Sequence, residues 1–410
     1  MSFQQALSGL NAAAQNLDVI GNNVSNANTV GFKSGTAEFA DVYANALNGT
    51  GGSQVGIGTT VSGISQQFTQ GSITSTNNPL DLAISGGGFF RMSSSDNTVT
   101  YSRNGQFSVN NNNNIISSDG LKLTGYPADS SGNIIKSAPQ VLQLSRNSLA
   151  PITTSAVTVS SNLDANTPDL LPANFNPSDP STYTSSTSTN VFDSLGNSHV
   201  LSLYWMKTDT STNTWNVYGA IDGTALASNP IETMAFDTNG SMSATTLAAQ
   251  PVSITASVGA SAAPLTFTLD QTGTTQFGSS FNVNNLNQNG YASGQLTGFN
   301  IGSNGNILGN YSNGQTLTLG QVALADFVDQ QALQPNGNNQ FSETADSGPP
   351  LVGTPGTGTL GVLQSSAVEQ SNVDLTTELV NMITAQRVYQ ANAQSIKTED
   401  AILQTITSLQ

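Results

Sequence analysis

"NNVSNANTVGFKSG", residues 22–35, closes a run that reads as a long helix. Asparagine and glycine are weak helix formers but accept turn and left-handed backbone at little cost. The helix therefore ends here, and the chain turns outward through Gly31-Phe32-Lys33. Upstream, Phe3, Leu7, Leu10, Ala14, Leu17 and Val24 recur in steps of four and three, with Gly21 in the one gap. That is a heptad seam, which lets one helix run along another.

The far end of the chain repeats the theme. Leu375, Leu379, Met382, Tyr389, Ala393, Ile396 and Leu403 form a seam interrupted by Gln386 and Asp400. A second stripe of Ile383, Ile402, Ile406 and Leu409 widens the apolar face, as burial against more than one neighbour requires. "SNVDLTTELV" (371–380) reads as the helix start, with Ser371 or Asn372 as cap and acids in the first turn. The two helices can pair within one molecule, serve assembly, or do both. Residues 1–32 carry a single charged side chain, Asp18. Helices facing water ordinarily carry charges opposite the apolar stripe, so this one suits contact with protein all round or a polar conduit. Alone in water, ~25 such residues would be a marginal helix.

Between the ends the apolar period becomes two. "HVLSLYW" (199–205), "VSITASV" (252–258) and "PLTFTLD" (264–270) alternate as half-buried strands do. Turn signals such as "SRNGQF" (102–107), "DSLGNS" (193–198) and "DTNGS" (237–241) punctuate them. A Ser/Thr/Pro-rich run, "TPDLLPANFNPSDPSTYTSSTSTN" (167–190), follows a shift near residue 150, and "NLNQNGYASG" (285–294) closes that region. The text on either side is alike: "YSRNGQFSVNNNNNIISSDGLKLTGYP" before and "QLTGFNIGSNGNILGNYSNGQ" after. One domain in two halves, with a second inserted between them, accounts for this pattern. The expected fold is mainly β with α-helical termini: a discontinuous multidomain chain with paired, coiled-coil-like N- and C-terminal helices, a split β domain and an inserted β domain. The expected bounds are 1–70 plus 364–410 for the helical ends and connector, 71–145 plus 290–363 for the split domain, and 146–289 for the insertion.

The chain has 410 residues, 36% hydrophobic and only 8% charged, with 25 acids against nine bases and a formal net charge of −16. Phosphate binding needs clustered Lys and Arg, so nucleic acid and anionic membrane are excluded as partners. No run approaches the ~18 apolar residues of a membrane span. "MSFQQALSGL" lacks the basic and apolar regions of a secretory signal peptide, which leaves the cytoplasm or another export route. With no cysteine there is no disulfide, thiolate metal site or Cys nucleophile.

The catalytic candidates fall away. The sole histidine, His199, starts a strand after a "DSLGN" turn and reads as a strand-edge residue. "GTGTLG" (356–361) matches a dinucleotide fingerprint, with Glu378 about twenty residues on, but the strand–turn–helix context is missing, so it reads as a linker. "DSSGN" (129–133) is turn chemistry, not a calcium loop. No catalytic, cofactor-binding or metal residue is assigned.

"SGLNAAAQNLDVIGNNVSNANTVGFKSGTAEFADVY" (8–43) and "EQSNVDLTTELVNMITAQRVYQANAQSIKTEDAILQTI" (369–406) resemble the ends of the bacterial flagellar rod and hook proteins. "ISGGGFFRM" (84–92) and "YSRNGQFSVNNNNNIISSDGLKLTGYP" (101–127) resemble their shared β domain. The inserted region, with "VFDSLGNSH" (191–199), resembles that of the hook members. This resemblance implies a structural subunit of the flagellar hook, extracellular after export through the flagellar type III apparatus. Such subunits polymerise into a curved tube that joins rod to filament and transmits motor torque as a universal joint.

It further implies partners: copies of itself, rod, hook cap and hook–filament junction proteins, and the export gate with any chaperone, without nucleic acid, membrane insertion or cofactor. Assembly falls to the seams Phe3, Leu7, Leu10, Leu17, Val24, Leu375, Leu379, Met382, Tyr389, Ile396 and Leu403. Asn28, Gly31 and Phe32 form the connector, with Phe32 anchored by burial. "FADVY" matches the family's export-gate pattern at Phe39 and Tyr43. The Gly-rich segments around 48–63 and 348–361 suit compliant joints. A distal rod protein is the nearest alternative and lacks the inserted domain. An extracellular β-domain adhesin is the alternative from another class, for which the terminal helices would be dispensable.

Overall fold

The computed structural model describes residues 2–42, 56–170, 175–259 and 262–408. Helix α1 (Ser2–Ser25) leads into an antiparallel hairpin of β1 (Gly35–Val42) and β2 (Gly58–Gln66), and a short helix α2 (Ala244–Ala248) interrupts the strands that follow. The chain closes with α3 (Leu375–Ser408), 34 residues long. No described helix is long and apolar enough to cross a membrane. The chain divides into two compact units: residues 1–146, 298–310 and 316–410, and residues 147–297 and 311–315.

In the first unit, stretches far apart in sequence interleave in one antiparallel sheet. Part of its path runs Thr316–Val322, Lys122–Pro127, Phe89–Ser93, Val99–Ser102, Gln340–Ser342 and Gln334–Gly337. Successive side chains on a strand face opposite ways, and "GGGFF" uses this directly. Phe90 joins Leu82, Ile84, Met92, Phe107, Ile115 and Leu123 in one cluster. Phe89 joins Tyr101, Phe327 and Phe341 in the other, ring edges to ring faces, with Phe68 packed against it. Gly105 permits a close approach: a Cβ there would lie 1.8 Å from the Leu82 carbonyl oxygen.

The second unit sets two five-stranded sheets around one core. Ala156–Asp164 runs parallel to Leu265–Asp270 and Thr275–Phe277 and antiparallel to Asn282–Gln288. The other sheet runs Ser185–Phe192, Ser198–Asp209, Thr214–Ile221 and Thr224–Ala225, with Glu232–Ala235 added to Thr214–Ile221. Inward alternation from these strands packs Val157, Val159, Leu203, Trp205, Trp215, Val217 and Phe267 together. Both indoles are fully buried, and each finds an amide: Trp205 Nε1 donates to Gln271 Oε1 and Trp215 Nε1 to Gln276 Oε1, both at 3.0 Å. A buried indole without such a partner would destabilise the core.

Candidate assembly surfaces and the connector between them

The asparagines of the opening stretch work as a chain of local caps. Ser25 Oγ donates to the Gly21 carbonyl at 2.8 Å, and Asn26 Nδ2 to the Asn22 carbonyl at 3.0 Å, which also accepts the Asn26 amide, so each adds a side-chain donor at the helix end. Buried Asn23 grips the chain as it returns: Nδ2 donates to the Gly35 carbonyl (2.8 Å) and to Glu378 Oε1 (3.0 Å), and Oδ1 accepts from the Gly35 amide (2.9 Å). Gly31 sits at φ +72°, and a Cβ there would lie 2.5 Å from the Asn104 amide nitrogen. Its own N–H donates to the Glu369 carbonyl at 2.8 Å. Only glycine meets both the conformation and the approach. Asn28 is exposed.

The anchor of this turn is Lys33, which sequence reasoning missed; Phe32, expected to be buried, is only half-buried. Of these two neighbours the lysine is the one that faces inward. Its Nζ lies 2.7 Å from Glu369 Oε1 and 2.7 Å from the Thr69 carbonyl, with neither ionic side chain exposed. Glu369 Oε1 also accepts from the Gly71 amide at 2.9 Å, and Oε2 lies 3.4 Å from Arg103 Nη1. The Arg103 guanidinium stands 5.3 Å from the centre of the Phe89 ring. Burial pushes the Lys33 pKa down, against the pull of Glu369; burial likewise lowers that of Arg103. The available signal was that Lys33 is the only base in residues 1–90. Asn372, read as a helix cap, instead accepts from the Ser34 amide and donates to the Gln67 carbonyl. The cap is Asp374, which accepts from the amides of Thr376 (2.8 Å) and Thr377 (3.2 Å).

The helices pack on each other, and their heptad seams are only partly covered. The buried side of α1 is Ala6, Ala12, Ala13, Val19, Ile20 and Asn23. Small residues set the close approach to α3: a Cβ on Gly9 would meet the Asn392 amide at 3.0–3.2 Å. A cavity of about 600 Å³ lies among Ala13, Ile20, Phe39, Ala385 and Val388. The seam is partly open. Phe3 and Leu7 are each 42% exposed, while Leu10, Leu17 and Val24 are half-buried. On α3, Leu375, Leu379, Tyr389 and Leu403 are exposed, Met382 and Ile396 half-buried, and Ala385 is buried. Val380, Ile383, Val388 and Ile402 add to the exposed apolar surface.

Phe39 is 48% exposed on β1, beside a register shift at Glu38/Phe39. Tyr43 lies outside the described residues, as do residues 48–55 of the first glycine-rich segment. The rest of that segment enters β2. The second is not a slack joint: Leu351–Gly353 pairs with Leu324–Asp326, and the Gly356 amide donates to the Gly361 carbonyl at 2.9 Å. No helix begins in "GTGTLG"; the strand Val362–Ser365 follows it. His199 stands at a strand start but is clipped between two acids, Nδ1 2.7 Å from Asp222 Oδ2 and Nε2 3.4 Å from Asp193 Oδ2. The Asp222 hydrogen bond, against burial and with help from Asp193, raises the His199 pKa.

Four family models match in chain order: Flagella basal body rod protein at 3–33, Flagellar hook protein FlgE/F/G D1 domain at 83–164, Flagellar basal body protein FlaE D2 domain at 162–291, and Flagellar basal body rod FlgEFG protein C-terminal at 364–409. Flagellar hook protein FlgE of Escherichia coli is 44% identical over 418 residues, covering 100% of both chains. The chain belongs to the flagellar hook protein family. Other hook proteins of the family, from Salmonella typhimurium and Borreliella burgdorferi, are 42% and 33% identical, covering all of this chain and 100% and 99% of theirs. The crystal structure of Helicobacter pylori flagellar hook protein FlgE2 shares the fold, with TM-score 0.54 and 14% identity over 72% of this chain and 100% of that one. As a member of the hook protein family, this chain is a structural subunit located in the bacterial flagellar hook.

Proposed function

We propose that the seam residues of α1 and α3 are the surfaces by which subunits polymerise into the flexible, curved tube that joins rod to filament and carries motor torque. The observation that carries this reading is the row of exposed Leu, Ile, Val and Tyr along α3, matched by Phe3 and Leu7 on α1. Soluble chains rarely leave so long an apolar surface uncovered, and heptad spacing is what a neighbouring helix fits. The two β regions, split (71–145 plus 290–363) and inserted (146–289), act as stiff bodies; the helical ends (1–70 plus 364–410) do the joining. Many uncharged polar contacts between β bodies can exchange as the tube bends. The role is mechanical and calls for no catalytic residue, metal or cofactor.

Rod, hook cap and junction proteins are the end partners on this reading, and the type III export gate delivers the subunit, with Phe39 and Tyr43 as its recognition residues. Replacing Leu379 and Leu403 together by Asp tests the central part. The purified variant should stay folded yet give no tubes by electron microscopy. Normal tube yield would overturn the assignment. For export, Phe39→Ala should abolish secretion while leaving the β regions folded; wild-type secretion would remove Phe39 from that role.

A further inference from the structure

We propose that Lys33, Arg103 and Glu369 form a charge-coupled clasp that makes docking of the N-terminal connector conditional on arrival of the C-terminal strand Ala367–Glu369. The three residues come from distant parts of the sequence: Glu369 is 336 positions from Lys33 and 266 from Arg103. Both Glu369 oxygens and its carbonyl are used, towards Lys33 and Gly71, Arg103, and Gly31 respectively. Without this carboxylate, burying the connector would leave two repelling cations in a site closed to water. That arrangement is strongly unfavourable, because an unpaired buried charge keeps its full desolvation penalty. The Asp326 carboxylate also attracts Arg103, but no oxygen other than those of Glu369 and the Thr69 carbonyl reaches Lys33 Nζ among the described residues.

The strand that carries Glu369 pairs with Ile73–Ser75, so closing the clasp fixes three stretches at once: 30–35, 69–75 and 367–372. Asn372 reinforces the same closure through Ser34 and Gln67. In a chain made from the N-terminus, the root of α1 therefore stays uncommitted until residues 367–369 have been made. The roots of α1 and α3 then lock in one step. This is a property of the single subunit and stands or falls apart from how subunits polymerise.

Hydrogen exchange by mass spectrometry on the full-length monomer tests it, with peptides of residues 201–205 as internal control. Glu369→Gln keeps the shape and removes the charge; Lys33→Met keeps much of the packing. Glu369→Gln should speed exchange in peptides 30–35 and 69–72 by about a hundredfold, and Lys33→Met by about tenfold, from the cost of opening a buried pair. Coupling requires that Lys33→Met also speed exchange at 367–372. The double variant should be less affected than the product of the two single effects. Acceleration by Lys33→Met confined to 30–35, or effects that simply multiply, would overturn the proposal. Should both single variants lose protection across the whole first unit, recovery in the double variant supports the clasp and no recovery overturns it.

Discussion

The β sheets and helix α3 treat apolar side chains in opposite ways. Phe89, Phe90, Trp205 and Trp215 are wholly buried within the single chain, whereas Leu403 is 54% exposed and α3 buries fully only Ala385 among its described side chains. Strand alternation finds its partner in the same molecule, because hairpins and interleaved sheets return the chain to itself. Much of the heptad seam does not. The contrast teaches that a legible pattern specifies a contact surface without saying which molecule supplies the other half.

Five predictions bear on this contrast. The largest effect belongs to Trp205→Ala, which should cost about 3–5 kcal/mol in denaturant unfolding of the second unit, from lost burial and a cavity. Leu403→Ala should fall within about 0.5 kcal/mol in the monomer; equal costs would erase the distinction. Next comes Gly31→Val, where strain of about 1–3 kcal/mol from the left-handed backbone adds to the clash with Asn104. It should lower the first unit's thermal midpoint and tube yield while the second unit melts unchanged. Asp374→Ala removes the cap of α3 and should cost about 1 kcal/mol, read as faster exchange at Thr376 and Thr377.

The smallest effect is a pH dependence in the second unit. Its histidine is bonded to Asp222 and Asp193, with a raised pKa, so folding favours the imidazolium. That stabilisation is full below the unfolded pKa of ~6.5 and is lost as pH rises through the higher folded value. Asp193 is pushed up by burial, but hydrogen bonds from Asn197 and the Leu195 amide outweigh this and bring it to about 2. Its contribution is fully present above the unfolded carboxylate pKa and is lost as pH falls below it through the folded value of about 2. Because His199 is the sole histidine, one NMR resonance reports the titration. A midpoint at or below 6.5, or an unchanged stability profile in His199→Gln, would remove the clip.

The sequence made the helical ends, the β-rich middle and its interruption legible, since each rests on local period and turn chemistry. What stayed hidden depended on distant partners. Lys33 is buried because Glu369 meets it, and no local pattern announces that; Phe32 was the natural anchor by hydrophobicity alone. Ala6, Gly9 and Ala13 form no hydrophobic stripe, yet small size is what lets α1 approach α3. His199 reads as a strand edge until the turn at Asp222 closes on it. Ser371 and Asn372 read as the cap of α3, and the loss of Asn372 to Ser34 and Gln67, which leaves the cap to Asp374, became visible only in three dimensions.

The absence of cysteine allows a direct test of the central claim, that the α3 seam is covered by neighbouring subunits. A nitroxide on Leu379→Cys, in a chain with no other thiol, reports local mobility by electron paramagnetic resonance. The account predicts a mobile spectrum in the monomer that becomes strongly immobilised on polymerisation, while a label at Thr272→Cys, on an exposed turn of the second unit, changes less. A Leu379 label that stays mobile in well-formed tubes would contradict it.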